Sequence, residues 1–464
     1  VLGRNWLLFA GTLAGFIVRG LVPPEVFGAY FFAVTLSGYL NVLNTPLGNL
    51  VDIQGPLLIG RGANDEAKQL ARDSYSLLGL MVLAEAAVLL IASIWVDRPW
   101  LRVSFVVIAI VSAQDAITNA DYLLLRSYRH FAAFGIAAIL TGIAVLGINV
   151  SFAYFWGATG FLVGAVVVSA VRFGLFRAMA WRYTGIGLFA RPRIKTVLPY
   201  LIGTGVVFTV YRMTDLAART MDRIYVERYL GLEQLGIYSL AASLGALVQT
   251  AASSFAGAVL PTYLRIRGGA TLEQSLEATI SFHRSLMALT VIMSLGVIVG
   301  AKLFLGLIFP AYTSAVLPTQ LLCVSAVLAQ GTLVPTLFIL GGTSRRPLLA
   351  ASAVGLAVAA LAGFFLVRFG LVGMAGATNL SYLTWSAVLA ASVRRLRIRL
   401  MITTIVAGGA SAGVLPLSIN DNTVWMLAYA LGVGAVCLLV VLRTDKRLVT
   451  SSGPEDPTPL RPVP

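Results

Sequence analysis

The chain has 464 residues, of which 58% are hydrophobic and only 11% charged, with a formal net charge of +15. A soluble domain carries about 25% charged residues, so this composition excludes a soluble globular protein and indicates a polytopic membrane protein. The positive charge does not indicate nucleic acid, because it gathers in connectors between apolar runs rather than in one basic domain.

Fourteen apolar runs follow one another, most near or above the ~20 residues that span ~30 Å of hydrocarbon. The first six, at 5–22, 27–51, 74–96, 101–124, 131–150 and 153–175, predict an N-terminal six-helix lobe over 1–176. Run 5–22 is apolar enough to serve as an uncleaved first span. A basic linker at 177–196 follows, in a stretch (172–195) that carries six Lys and Arg residues and suits an anionic leaflet. The next six runs, at 197–217, 235–260, 283–304, 314–340, 347–367 and 370–392, predict a C-terminal six-helix lobe over 197–393. Two more helices occupy 394–442, and the polar, Pro-rich tail over 443–464 reads as disordered. The connectors at 60–73 and 265–283 hold matching places in the two lobes and read as short amphipathic helices.

Of the 34 Lys and Arg residues, 25 fall on the side that holds both termini and the linker at 177–196. The positive-inside rule puts that side, with both termini, in the cytoplasm.

The two halves echo each other. Glu25-Val-Phe-Gly28-Ala-Tyr30 returns 208 residues later as Glu233-Gln-Leu-Gly236-Ile-Tyr238. In the same register Asn41 falls opposite Gln249, and Thr45 opposite Ser253. A parallel repeat of this kind predicts two similar helical lobes facing each other.

The densest polar signal closes the seventh run. Steps of three and four residues set Arg212, Asp215, Arg219 and Asp222 on one helical stripe of alternating sign, with Arg223 beside it. Ionisable groups at membrane depth face a partner or a wet cavity, so the stripe reads as a track for an anionic headgroup. The alternative is a protruding, solvated helix laced with salt bridges. Span two offers Asn41, Asn44, Thr45, Asn49 and Asp52 around a Pro46–Gly48 break, and span eight offers Ser239, Ser243, Gln249, Ser253 and Ser254. Neutral donors and acceptors of this kind suit sugar hydroxyls, or else hydrogen bonds between helices. Glu85 in span three and Asp115 in span four are candidates for coupling an ion, with a structural hydrogen bond as the alternative. For Asp121 the structural role is preferred, with Arg126 near it in sequence.

Other apparent motifs carry little. Gly409-Ala-Ser411-Ala-Gly413 has the spacing of a nucleophile elbow but lies inside a span, where it reads as close helix packing. The sequence has no Walker loop, HExxH or zinc-ligand spacing, and Cys323 and Cys437 are isolated packing residues. No catalytic residue, metal or cofactor is expected. His130 and His283 lie near cytoplasmic helix ends, which argues against a histidine proton relay.

Arg19-Gly-Leu-Val-Pro-Pro-Glu25-Val-Phe-Gly28-Ala-Tyr30 resembles the signature near the first helix of Wzx-type polysaccharide flippases. Asp222-Arg223-Ile-Tyr-Val, followed by Leu230-Gly231 and Gly236-Ile-Tyr238, resembles the central signature of that family. The resemblance implies the multidrug/oligosaccharidyl-lipid/polysaccharide transporter fold, with two six-helix lobes around a central cavity. It also implies a polyprenyl-pyrophosphate-linked glycan as substrate, carried across a bacterial or archaeal cytoplasmic membrane, with polysaccharide polymerase machinery as a partner beside the lipid bilayer.

Three rivals remain at this level. A multidrug antiporter of the same fold would want acidic cavity residues, whereas this stripe is rich in arginine. A polysaccharide polymerase or ligase would want a long external loop, whereas the connectors here are short. A membrane scaffold would have no use for buried charges and helix breaks.

Overall fold

The computed structural model describes residues 2–128, 130–187, 197, 206–269, 272–340, 346–393, 396–420 and 422–451. Among them every regular element is helical. In chain order the α-helices are α1 (Leu2–Arg19), α2 (Pro24–Gly60), α3 (Asn64–Ile94), α4 (Pro99–Ser127), α5 (Phe131–Ala144), α6 (Val150–Thr184), α7 (Val206–Tyr225) and α8 (Leu232–Gly269). They continue as α9 (Leu272–Ile308), α10 (Val316–Gln330), α11 (Leu333–Leu340), α12 (Arg346–Leu366), α13 (Gly370–Ser392), α14 (Arg397–Ala412), α15 (Leu415–Ile419) and α16 (Thr423–Ser451).

Ten helical stretches among the described residues are long and apolar enough to cross a membrane, so the chain is a multi-pass membrane protein. The difference from the fourteen expected spans has visible causes. Two of the ten, Phe131–Thr184 and Arg346–Ser392, are 54 and 47 residues long and each covers two expected spans. The first turns back at Gly157 (φ 56°), beyond which the Gly160 backbone meets the Phe152 carbonyl and Gly164 meets Asn149. The second does so at Gly370 (φ 65°), where Gly373 meets the Leu366 carbonyl and Ser381 donates to the Gly355 carbonyl. Of the other two expected spans, 5–22 falls in α1 (Leu2–Arg19), of which Trp6–Arg19 forms an apolar helix among the described side chains. The other, 197–217, lies partly outside the described residues (198–205). Its second half begins α7, which continues past 217 to Tyr225 and carries arginines and aspartates that lower its hydropathy.

The chain divides into two compact units, Val1–Ser239 and Leu240–Pro464, with the boundary inside α8. In the first unit α2, α3 and α4 pack on one another, α6 packs on α4, α5 bridges α1 and α6, and α7 lies along α2. Its core is built from Leu47, Tyr75, Leu124, Leu125, Phe176 and Ile186 near one end and from Ala29, Leu101, Phe105, Ile108 and Leu232 near the other. In the second unit α9 packs on α10, α14 and α16, and α10 packs on α13. Of the expected packing pair Gly409 and Gly413, only Gly413, just past α14, is at a close approach, since a side chain there would overlap the Tyr429 hydroxyl, which itself donates to the Ala410 carbonyl. A side chain on Gly409 would meet nothing within 4 Å. His283 is fully buried on α9, with Nε2 3.2 Å from the Thr404 hydroxyl. Apolar side chains turned outward, such as Leu83, Phe155, Leu307 and Val424, suit lipid rather than water.

Two expectations meet their limits here. The expected linker at 177–196 begins inside α6, which runs to Thr184, while 188–196 lie outside the described residues. The last helix continues to Ser451, past the 443 at which a disordered tail was expected, and 452–464 lie outside the described residues.

Candidate functional site

A cavity of about 580 Å3 opens in the first unit between α2, α3, α4 and α7. The stripe spacing of α7 decides what enters it, because residues 212, 215, 216 and 219 share one helical face. Arg212, Asp215 and Arg219 line one wall. Asn41, Asn44 and Gly48 of α2, also at helical spacing, line another, and Asn119 of α4 adds a third amide.

Asp215 is the organiser of the charged wall. Its Oδ1 accepts a 2.8 Å hydrogen bond from Arg219 Nε, and its Oδ2 lies 3.8 Å from Arg212 Nη1. The carboxylate is buried while the two guanidinium groups stay open, at 47% exposure for Arg212 and 35% for Arg219. One carboxylate beside two arginines leaves this wall, as lined by Arg212, Asp215 and Arg219, with a net positive charge. That is chemistry for an anion.

The amide wall has a carboxylate behind it. Glu85 of α3 is buried and accepts hydrogen bonds from Ser37 Oγ (3.0 Å), Asn41 Nδ2 (3.0 Å) and Asn44 Nδ2 (3.1 Å). Each asparagine thus gives a donor to Glu85 and is fixed at the cavity surface by it. Sequence reasoning named Glu85, Asn41 and Asn44 separately; the structure brings them into one network. Ser37 was missed, and its only sequence signal is its position one turn before Asn41.

The remaining predicted residues sit elsewhere. Asp222 is buried below the stripe, where it accepts the Tyr238 hydroxyl at 2.7 Å and the Arg223 backbone N–H at 2.8 Å. Arg223 stacks on the Phe31 ring at 4.5 Å, off the cavity lining. Gln249 belongs to the second unit, where its backbone carbonyl accepts from Gln330 Nε2 at 3.0 Å. The side chains of Thr45, Asn49 and Asp52 lie outside the described residues. Asp115 pairs with Arg172 at 3.3 Å and accepts from Ser169 at 3.2 Å.

Asp121 keeps its structural role with a different partner from the one expected. It pairs with Arg177 Nη1 at 2.8 Å and accepts the Tyr75 hydroxyl at 2.9 Å, while Arg126 reaches Tyr122 instead. Arg177 also donates to the Ile186 carbonyl, tying the end of α6 to the core of the unit. Two of the basic residues expected to meet the leaflet, Arg172 and Arg177, therefore point inward to carboxylates of α4. Among the described residues no group of His, Cys, Asp and Glu has the arrangement of a metal site.

No family model matches the chain, and no curated protein matches it. Solved structures do. A multidrug resistance MATE family transporter of the MOP superfamily, in an inward-facing conformation, aligns with a TM-score of 0.67 at 15% identity, over 86% of this chain and 94% of its own. The Vibrio cholerae MATE transporter VcmN aligns with a TM-score of 0.61 at 14% identity, over 86% and 97%. The lipid II flippase MurJ, in an inward closed conformation, aligns with a TM-score of 0.59 at 13% identity, over 97% of this chain and 100% of its own. At these identities the likeness is one of fold, and the fold is that of MATE and MurJ transporters.

Proposed function

We propose that the chain is a flippase for a polyprenyl-pyrophosphate-linked glycan, moving it from the cytoplasmic to the outer leaflet by alternating access. The observation that carries this reading is the cavity wall in which Arg212 and Arg219 share the single carboxylate of Asp215. The two guanidinium groups hold phosphate oxygens, and the amides of Asn41, Asn44 and Asn119 meet sugar hydroxyls. The lipid tail stays in the bilayer. The chain performs no catalysis of its own, and a polysaccharide polymerase consumes its product on the far face.

The architecture in this reading is fourteen crossings in two six-helix lobes plus two, with both termini cytoplasmic. It counts the two doubled stretches twice and adds α1 and α7 to the ten. The repeat is supported by a reciprocal approach in the first unit: a side chain on Gly28 would overlap the Leu232 carbonyl, and one on Gly236 would overlap the Pro24 carbonyl. Pro24 and Leu232, like Gly28 and Gly236, are 208 residues apart.

A second reading, an ion-coupled multidrug antiporter, is favoured by the fold likeness to MATE transporters. Binding separates the two. Inorganic pyrophosphate should bind the purified protein and weaken about tenfold or more in Arg219→Ala, the loss of a charge-assisted contact. Binding of a lipophilic cation with no response to pyrophosphate selects the antiporter.

A further inference from the structure

Helices α2 and α7 run side by side and part along their length. At the α1–α2 end they are shut. There the Gly28 backbone of α2 meets the Leu232 carbonyl at the start of α8, and Arg98, just before α4, pairs through Nη1 with Oε1 of Glu227, just past α7, at 2.9 Å. Further along, Arg223 Nη1 lies 3.4 Å from the Thr35 hydroxyl, and the Tyr39 and Thr220 hydroxyls are 2.7 Å apart. Gly38 then meets Leu216, and beyond it the two helices separate around the cavity between residues 41–48 and 212–219. Arg223 is therefore at the cavity floor, on the closed side of it.

Arg223 also continues the stripe. It is four residues past Arg219 and eleven past Arg212, so the three guanidinium groups descend one face of α7. Its present surroundings satisfy it poorly. It has the Phe31 ring and one long hydrogen bond to Thr35, its Nε is buried without a hydrogen-bond partner, and among the described residues it has no carboxylate ion partner. Asp222, the nearest acid in sequence, directs its carboxylate to the Tyr238 hydroxyl and the Arg223 backbone N–H. A guanidinium at this depth without a counter-ion is unfavourable, and it is relieved when an anion reaches it.

We propose that Arg223 is the release-side anion subsite of the transport path. It plugs the cavity floor in this conformation and takes the headgroup phosphate from Arg219 when the α2–α7 seam parts. The inference rests on the flippase reading of the same cavity. It gives Arg223 a duty distinct from that of Arg219: Arg219 belongs to loading, Arg223 to passage.

The test measures binding and translocation separately. Affinity for a polyprenyl-pyrophosphate-linked sugar is measured in detergent, and its leaflet transfer in proteoliposomes, for wild type, Arg219→Gln, Arg223→Gln and Arg223→Lys. Thermal unfolding of each variant is read alongside. Arg219→Gln should lose about tenfold or more in affinity, whereas Arg223→Gln should bind within about threefold of wild type yet transfer about tenfold more slowly. Arg223→Lys keeps the charge and should recover much of the rate. Wild-type transfer by Arg223→Gln, loss of binding together with transfer, or a Lys variant as slow as the Gln variant would each overturn the assignment. If wild type neither binds nor moves the lipid, the flippase reading fails and this inference with it. If wild type moves it and Arg223→Gln is indifferent, the inference alone fails.

Discussion

Asp215 and Glu85 show how one functional group, the carboxylate, takes opposite duties around a single cavity. Asp215 is ion-paired and sets the pose of two arginines, whereas Glu85 meets only neutral donors and fixes two asparagines. Replacing Glu85 by Leu removes the acceptor of Ser37 and Asn44, each donor worth about 1–3 kcal/mol when left unmade, while Asn41 keeps its contacts to Ser37. Glu85→Leu should therefore unfold at a clearly lower temperature than Glu85→Gln, which retains an acceptor; equal melting of the two in detergent would contradict the network. The Asp121–Arg177 pair gives a harsher case. Removing one partner of a buried pair costs about 3–5 kcal/mol because the other charge stays buried. Asp121→Leu should thus destabilise more than the double variant Asp121→Leu/Arg177→Met, and thermal unfolding of both checks the order. At this scale the sequence was partly legible. The Arg212–Asp215–Arg219 stripe could be read from steps of three and four. The partners of Glu85 could not, because they lie 41 to 48 residues away on another helix. Arg126 was the nearest cation to Asp121 in sequence, but α6 crosses α4 and supplies Arg177 instead.

Helix α2 carries both the closed seam and the open cavity wall, so a change at one end is felt at the other. Gly28 is the sensitive point. Alanine is favoured over glycine in a helix by about 1 kcal/mol, but a Cβ here would overlap the Leu232 carbonyl, and the clash wins. Gly28→Ala should hold the seam apart. Short thiol cross-linking between Arg98→Cys and Glu227→Cys, in a background lacking Cys323 and Cys437, should fall relative to the parent; unchanged cross-linking would contradict the seam. The motif around Gly28 was visible in the sequence as a repeat. What it does was not, since two glycines 208 residues apart do not announce that their helices touch. The turn at Gly370 was legible as the gap between runs 347–367 and 370–392, whereas the turn at Gly157 falls inside the expected run 153–175, because apolar residues flank it on both sides.

Over the whole molecule, composition alone gave the class and the charge placement gave an orientation. With 25 of 34 Lys and Arg on one side, a tag at residue 464 should resist protease added outside intact cells, and its digestion would reverse the proposed topology. The likeness to MATE and MurJ structures fixes the fold but not the cargo, and the cavity chemistry carries the choice between them. The most direct measurement is leaflet transfer in proteoliposomes, offering wild type and Arg219→Ala a polyprenyl-pyrophosphate-linked sugar and, separately, a lipophilic cation. The account predicts that wild type moves the lipid, that Arg219→Ala moves it about tenfold more slowly or not at all, and that neither moves the cation. Transport of the cation with no movement of the lipid would contradict it.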